Sequence, residues 1–179
     1  VTEPSTSPHP ERVRHWHARA WASRAPRALR PWLTDEGSLT RLLQRASNGQ
    51  FSVRVLSQRY DRPSASEAIA LGLPPRQRAL VREVQLCGHG EPWVFARTLI
   101  PVTTLRGRQR TLKLIGSRPL GALLFSDPAM RRDPLQITAL TTAAGQRLWA
   151  RRSVFYLADK PLLVCEVFLT PPGVPDYPG

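Results

Sequence analysis

Leu80-Val81-Arg82-Glu83-Val84-Gln85-Leu86-Cys87, then Gly88-His89-Gly90-Glu91, then Trp93-Val94-Phe95-Ala96-Arg97-Thr98-Leu99-Ile100 is the stretch that decides the fold. Two β-prone runs flank a glycine-bearing tetrad and Pro101 stops the second run, so the whole reads as a β-hairpin. Leu80, Arg82, Val84 and Leu86 share one face of the first strand, since side chains alternate along a strand. Glu83 lies on the opposite face and is a poor partner for Arg82.

Working outward, Phe51, Val53 and Val55 alternate with Ser52, Arg54 and Leu56, a strand pattern. Residues 61–77 carry Pro63, Gly72, Pro74 and Pro75 and read as a connection with one helical turn. Upstream, Ser38 reads as an N-cap for a short helix over 38–47, with Leu39, Leu42 and Leu43 at helical spacing and Asn48-Gly49 as its stop. Downstream, residues 102–125 form a mixed loop with a short helix after Pro119. Leu135 to Leu140 reads as a further strand. A second hairpin joins Arg147–Leu157 to Leu162–Leu169 through Ala158-Asp159-Lys160-Pro161. Antiparallel strands with a few helices give an α+β fold, and 179 residues suit one domain.

Residues 1–30 read as a leader containing Pro4, Pro8, Pro10 and Pro26, helical over Glu11–Ala25 with Trp16 and Ala20 on one face. Val1 to Pro10 lacks the apolar core of a signal peptide, which predicts a cytoplasmic location. No apolar run is long enough to span a membrane. Cys87 and Cys165 sit in apolar runs without a CxxC pair and read as buried small hydrophobes.

The formal charge is +13, and every basic residue except Lys113 and Lys160 is arginine. Such a charge raises nucleic acid as a partner, but the arginines are scattered without a run or an aromatic stripe. They read as a solvated surface, whose field also suits an anionic small molecule.

Chemistry concentrates on three residues. Glu166 lies inside Leu162-Leu163-Val164-Cys165-Glu166-Val167-Phe168, where desolvation raises a carboxylate's pKa. Arg82 sits on an apolar strand face, where an arginine pairs with a buried acid or awaits an anion. Arg97 repeats the arrangement on the paired strand. Together they predict a pocket for a small dicarboxylate with a hydroxyl. His9, His15, His17 and His89 assemble no metal set, Gly116 and Gly121 form no phosphate loop, and no GxSxG nucleophile motif occurs.

At these residues the chain resembles the chorismate pyruvate-lyase family of bacterial ubiquinone synthesis. The resemblance runs from about Trp32 to Leu169. It is carried by Pro31-Trp32-Leu33 with Ser38-Leu39-Thr40, by Val81 to Cys87 with Gly90-Glu91-Pro92-Trp93, and by Ala96-Arg97-Thr98 with Ile100-Pro101. Pro119-Leu120-Gly121 with Leu124-Phe125, Trp149-Ala150-Arg151-Arg152-Ser153, and Lys160-Pro161-Leu162-Leu163 through Glu166-Val167-Phe168-Leu169 complete it.

The resemblance implies a catalytic domain over 31–179, an antiparallel sheet whose helical flaps cover a buried ligand, and a variable leader over 1–30. It implies a carbon–oxygen lyase that converts chorismate into 4-hydroxybenzoate and pyruvate as a monomer, without cofactor or metal and with product inhibition. Arg82 and the Leu120 amide fall on the carboxylate site. Glu166 and the backbone of Leu39 fall on the hydroxyl site, and Arg97 on the pyruvyl side. The same fold family includes effector-sensing domains of transcription regulators, so a non-catalytic binding module is the alternative. Those regulators carry an N-terminal winged-helix domain, for which thirty residues are too few.

Overall fold

The structure, a computed structural model, describes residues 7–179; the first six residues of the leader, with Pro4, lie outside it. Eight strands form one antiparallel sheet: β1 (His17–Ala18), β2 (Phe51–Asp61), β3 (Ala79–Gly88), β4 (Glu91–Pro101), β5 (Arg131–Arg132), β6 (Gln136–Thr141), β7 (Arg147–Leu157) and β8 (Lys160–Phe168). Their order is β1-β6-β7-β8-β4-β3-β2, and β5 pairs with the end of β7. The helices are α1 (Arg30–Thr34), α2 (Leu39–Ala46), α3 (Ala65–Leu71) and α4 (Leu120–Leu124). The expected single-domain α+β architecture is what the chain adopts.

Both hairpins turn more tightly than the sequence suggests. His89 and Gly90 join β3 to β4 with φ of 53° and 82°, and Ala158 and Asp159 join β7 to β8 with φ of 48° and 61°. Two-residue loops with both residues left-handed match the twist of the strands they join. Just past the first turn the register shifts by one residue between Leu86 and Cys87, leaving Trp93 without a partner across β3. The Trp93 ring lies where a side chain on Gly88 would project; a Cβ there would meet it at 2.2 Å, so only glycine fits.

Three local expectations change. The segment 61–77 holds two helical turns, because Ser64 and Glu67 form a reciprocal capping box at the start of α3. The leader is not an α-helix: it forms 3-10 turns at Pro10–Arg12, Arg19–Arg24 and Arg27–Leu29, and His17–Ala18 pairs with β6. Ala22, Ala25 and Leu29 enter the core beside Leu33 and Leu43. The strand from Phe51 runs on to Asp61 along the sheet edge.

On the sheet face that carries Arg82, the core splits into two clusters. Leu39, Leu43, Val84, Leu86, Val94 and Phe168 belong to one, and Leu80, Ile100, Leu120, Leu124, Phe155 and Leu162 to the other. The transverse rows between them hold Arg82, Thr98 and Ser153, then Glu166 and Arg151. Polar residues therefore interrupt the core where α2 and α4 cover the sheet. Cys87 and Cys165 are buried and unpaired, as their apolar settings imply. No helix among the described residues is long and apolar enough to cross a membrane.

Candidate active site

The interruption in the core is a pocket with a free space of about 530 Å³ counted out to its mouth. Val84, Ala96 and Val164 form an apolar floor, and Leu39 and Leu120 face it from above. Leu39 and Leu120 are the first residues of α2 and α4. First-turn amides have no intrahelical acceptor, so both helices bring free N–H groups to the cover. Ser38 caps α2 by accepting from the Arg41 amide at 3.4 Å. α2 and α4 meet closely because residue 121 is glycine; a Cβ there would lie 2.7 Å from Thr40 Oγ1.

Arg82 marks one end. It is 2% exposed, and its Nη2 donates to the carbonyls of Gly116 at 2.7 Å and Arg118 at 3.3 Å. Its Nε is buried with no hydrogen-bond partner among the described residues. Burial pushes its pKa down, and no acid among the described residues compensates. A desolvated cation without a counter-ion awaits an anion.

Glu166 marks the other end. It lies in β8, a central strand, so the carboxylate points into the pocket and not to solvent. Its side chain is 13% exposed, and its Oε2 accepts from Arg151 Nε at 2.6 Å. Arg151, 1% exposed, also donates through Nη1 to the carbonyls of Trp32 at 2.9 Å and Asp35 at 2.7 Å. The apolar run marked a desolvated carboxylate, and the neighbouring strand supplies the arginine that offsets its charge. Arg82 and Glu166 stand two strands and one same-face step apart, about 10 Å across the sheet and about 7 Å along it.

Arg97 does not belong to this site. It lies opposite Glu83 in the hairpin, on the other face of the sheet, 5% exposed. Its Nε donates to Glu67 Oε1 at 2.7 Å and its Nη1 to Glu83 Oε1 at 2.7 Å. Desolvation lowers its pKa, but the two carboxylates outweigh that and raise it. The assignment of Arg97 to a ligand's second carboxylate is therefore corrected: both its charge and its hydrogen bonds are consumed inside the protein. The physical cause is the shift at Trp93. Without that extra residue Arg97 would face Arg82; a one-residue slip moves a side chain to the other face.

Two arginines at the pocket were missed. Arg151 follows Ala150 in a strand whose alternation is hidden by burial on both faces. Arg132, in β5, stacks over the Phe155 ring at 4.8 Å and donates from Nε to Ser153 Oγ at 3.0 Å and from Nη1 to the Glu36 carbonyl at 3.0 Å. Its two-residue strand gives no periodic signal to read.

The chain is similar to known proteins along most of its length. The family model described as chorismate lyase matches residues 10–174. A probable chorismate pyruvate-lyase of Marinobacter nauticus is 49% identical over 142 residues, covering 78% of this chain and 75% of that protein. One from an Azoarcus species is 44% identical over 188 residues, covering 95% and 98%. Among solved structures, the ligand-binding domain of a putative GntR-family transcriptional regulator from Bordetella bronchiseptica superposes with a TM-score of 0.52 at 24% identity, covering 68% of this chain and 86% of that one. A GntR-family regulator from Bacillus cereus gives 0.52 at 9% identity, covering 72% and 94%. At such identities the two regulators share the fold alone. The match across 10–174 and the identity to full-length relatives place the chain in the chorismate lyase family.

Proposed function

We propose that this pocket binds chorismate and eliminates its enolpyruvyl group, releasing 4-hydroxybenzoate and pyruvate. Chorismate carries a ring carboxylate, a C4 hydroxyl and an enolpyruvyl ether at C3. Breaking the C3–O bond with loss of the C4 hydrogen makes the ring aromatic, and the departing enolpyruvate takes a proton on its methylene carbon to become pyruvate. The reaction is redox-neutral and needs no metal. The protein's contribution is to orient a dianion and to meet charge where it develops.

One observation carries the reading: an arginine with no acid partner among the described residues at one end of an apolar floor, and an arginine-clamped carboxylate at the other. The ring carboxylate goes to Arg82 and the Leu120 amide. The C4 hydroxyl donates to Glu166, with the Leu39 amide at the same oxygen. Arg151 positions Glu166 and supplies its counter-charge. In this reading the enzyme works as a cytoplasmic monomer at the first step of ubiquinone synthesis, and its covered pocket retains the product. Purified protein incubated with chorismate and EDTA should yield 4-hydroxybenzoate and pyruvate in equal amounts. Absence of both products, or their appearance only after a divalent metal is restored, overturns the proposal.

A further inference from the structure

Chorismate has two carboxylates, and with Arg97 consumed elsewhere its second one has no assigned partner. Three arginines line the pocket: Arg82, Arg132 and Arg151. Arg82 takes the ring carboxylate in the reading above, on which this inference rests, and Arg151 is held by Glu166 at 2.6 Å. Arg132 is the third. Its Nε and Nη1 are bonded to Ser153 and the Glu36 carbonyl, while Nη2 makes no hydrogen bond among the described residues. No carboxylate among the described residues forms an ion pair with it, and the Phe155 ring fixes its plane. Burial lowers its pKa, with the charge of Glu166 in part offsetting this.

We infer that Arg132 binds the enolpyruvyl carboxylate and is the residue that distinguishes substrate from product. Its place in the sheet agrees with the connectivity of the substrate. Ser153, which anchors Arg132, shares a transverse row with Val164, Thr98 and Arg82, three strand spacings or about 14 Å from Arg82. Glu166 is one same-face step from that row and pairs with Arg151, the β7 residue two before Ser153. The C3 ether is adjacent to C4 on the ring, so a C4 hydroxyl held by Glu166 places the enolpyruvyl arm beside Arg132 and away from Arg82. As the C3–O bond breaks, the electron pair moves onto the enolpyruvate oxygen, and the nearby guanidinium stabilises the growing negative charge. 4-Hydroxybenzoate lacks this arm and leaves Arg132 without a partner.

The test compares two ligands on one variant. In Arg132→Gln, kcat/KM for chorismate from single-turnover measurements should fall at least about thirtyfold, the scale of losing a buried charge-pair partner. Affinity for 4-hydroxybenzoate, measured by calorimetry, should stay within about threefold, and this retained binding also reports an intact pocket. Equal loss for both ligands, or no loss for chorismate, overturns the inference. If Arg132→Gln does not fold, Arg132→Lys decides: it keeps the charge but not the planar fork, and should lower chorismate turnover alone. An equal effect on product binding, or none on either, again overturns the assignment. Wild-type protein that leaves chorismate intact refutes the lyase reading and this inference with it, a result distinct from an active wild type beside an equally active Arg132 variant.

Discussion

Arg82→Met separates what the arginine does for a ligand from what it does to the fold. In the free protein it is a cation 2% exposed, with its Nε unbonded and no acid beside it among the described residues. Burying an ion costs several kcal/mol in real proteins. Against that stand the bond to Gly116 at 2.7 Å and the longer one to Arg118 at 3.3 Å. A hydrogen bond to a charged group contributes about 1.5–3 kcal/mol at good length and much less when long. Methionine fills most of the volume of the arginine stem. The balance leaves ligand-free Arg82→Met more stable by about 1–2 kcal/mol, a rise of about 3–6 °C in Tm for a chain of this size. With product the order reverses. Wild type at a hundredfold excess over Kd gains about 2.7 kcal/mol. The variant gains almost nothing at that concentration, because truncating a buried charge pair costs about 2–5 kcal/mol of affinity. Thermal melts with and without 4-hydroxybenzoate, joined to calorimetric titration, read both effects. A variant with a lower Tm and unchanged product affinity would refute the reasoning, because Arg82 would then be a structural residue.

Glu166→Gln keeps the volume and an acceptor oxygen but loses the charge opposite Arg151. It should fold, still bind 4-hydroxybenzoate, and turn over chorismate at least about a hundredfold more slowly in single-turnover assays; wild-type chemistry would remove Glu166 from the mechanism. Glu67→Gln breaks the buried pair with Arg97, whose partners are each 6% exposed. Because Glu83 still offsets Arg97 at 2.7 Å, it should cost about 1.5–3 kcal/mol of stability while leaving kcat/KM of the folded protein unchanged; a selective loss of chorismate turnover would return Arg97 to the active site. Gly121→Ala should push α4 from α2 and speed product dissociation, measured by stopped-flow displacement. Thr40→Ala in the same chain removes the clashing oxygen and should restore slow release. Failure of that rescue would show that the close approach at Gly121 does not govern the cover.

Much of this architecture is written in local pattern. Period-two alternation specifies β2, β-prone runs flanking residues 88–91 and 158–161 specify two hairpins, and Ser38 specifies the start of α2. A charged residue amid apolar neighbours marks Arg82 and Glu166 as exceptional, because a strand's alternation states which face each occupies. The family is likewise legible in the ordered segments from Pro31 to Leu169. The capping box of Ser64 and Glu67 was not read, because Pro63, Pro74 and Pro75 around it make the segment pass for a connection.

What the sequence by itself could not determine is which charges meet. Arg97 looks like the twin of Arg82, and a hairpin of unbroken register would set them side by side. The single residue inserted at Trp93 turns Arg97 to the opposite face, where Glu67 arrives from α3 and Glu83 from β3. In the same way, only the pairing of β7 with β8 brings Arg151 to Glu166, and only the docking of β5 on β7 brings Arg132 to the pocket. Local sequence specifies strand and face because backbone geometry alternates with a fixed period. Partnership across strands depends on register and on contacts over 100 residues apart, such as Arg151 with Trp32 and Asp35. Those are properties of the closed tertiary structure, in which a buried charge is stable only beside the group that offsets it.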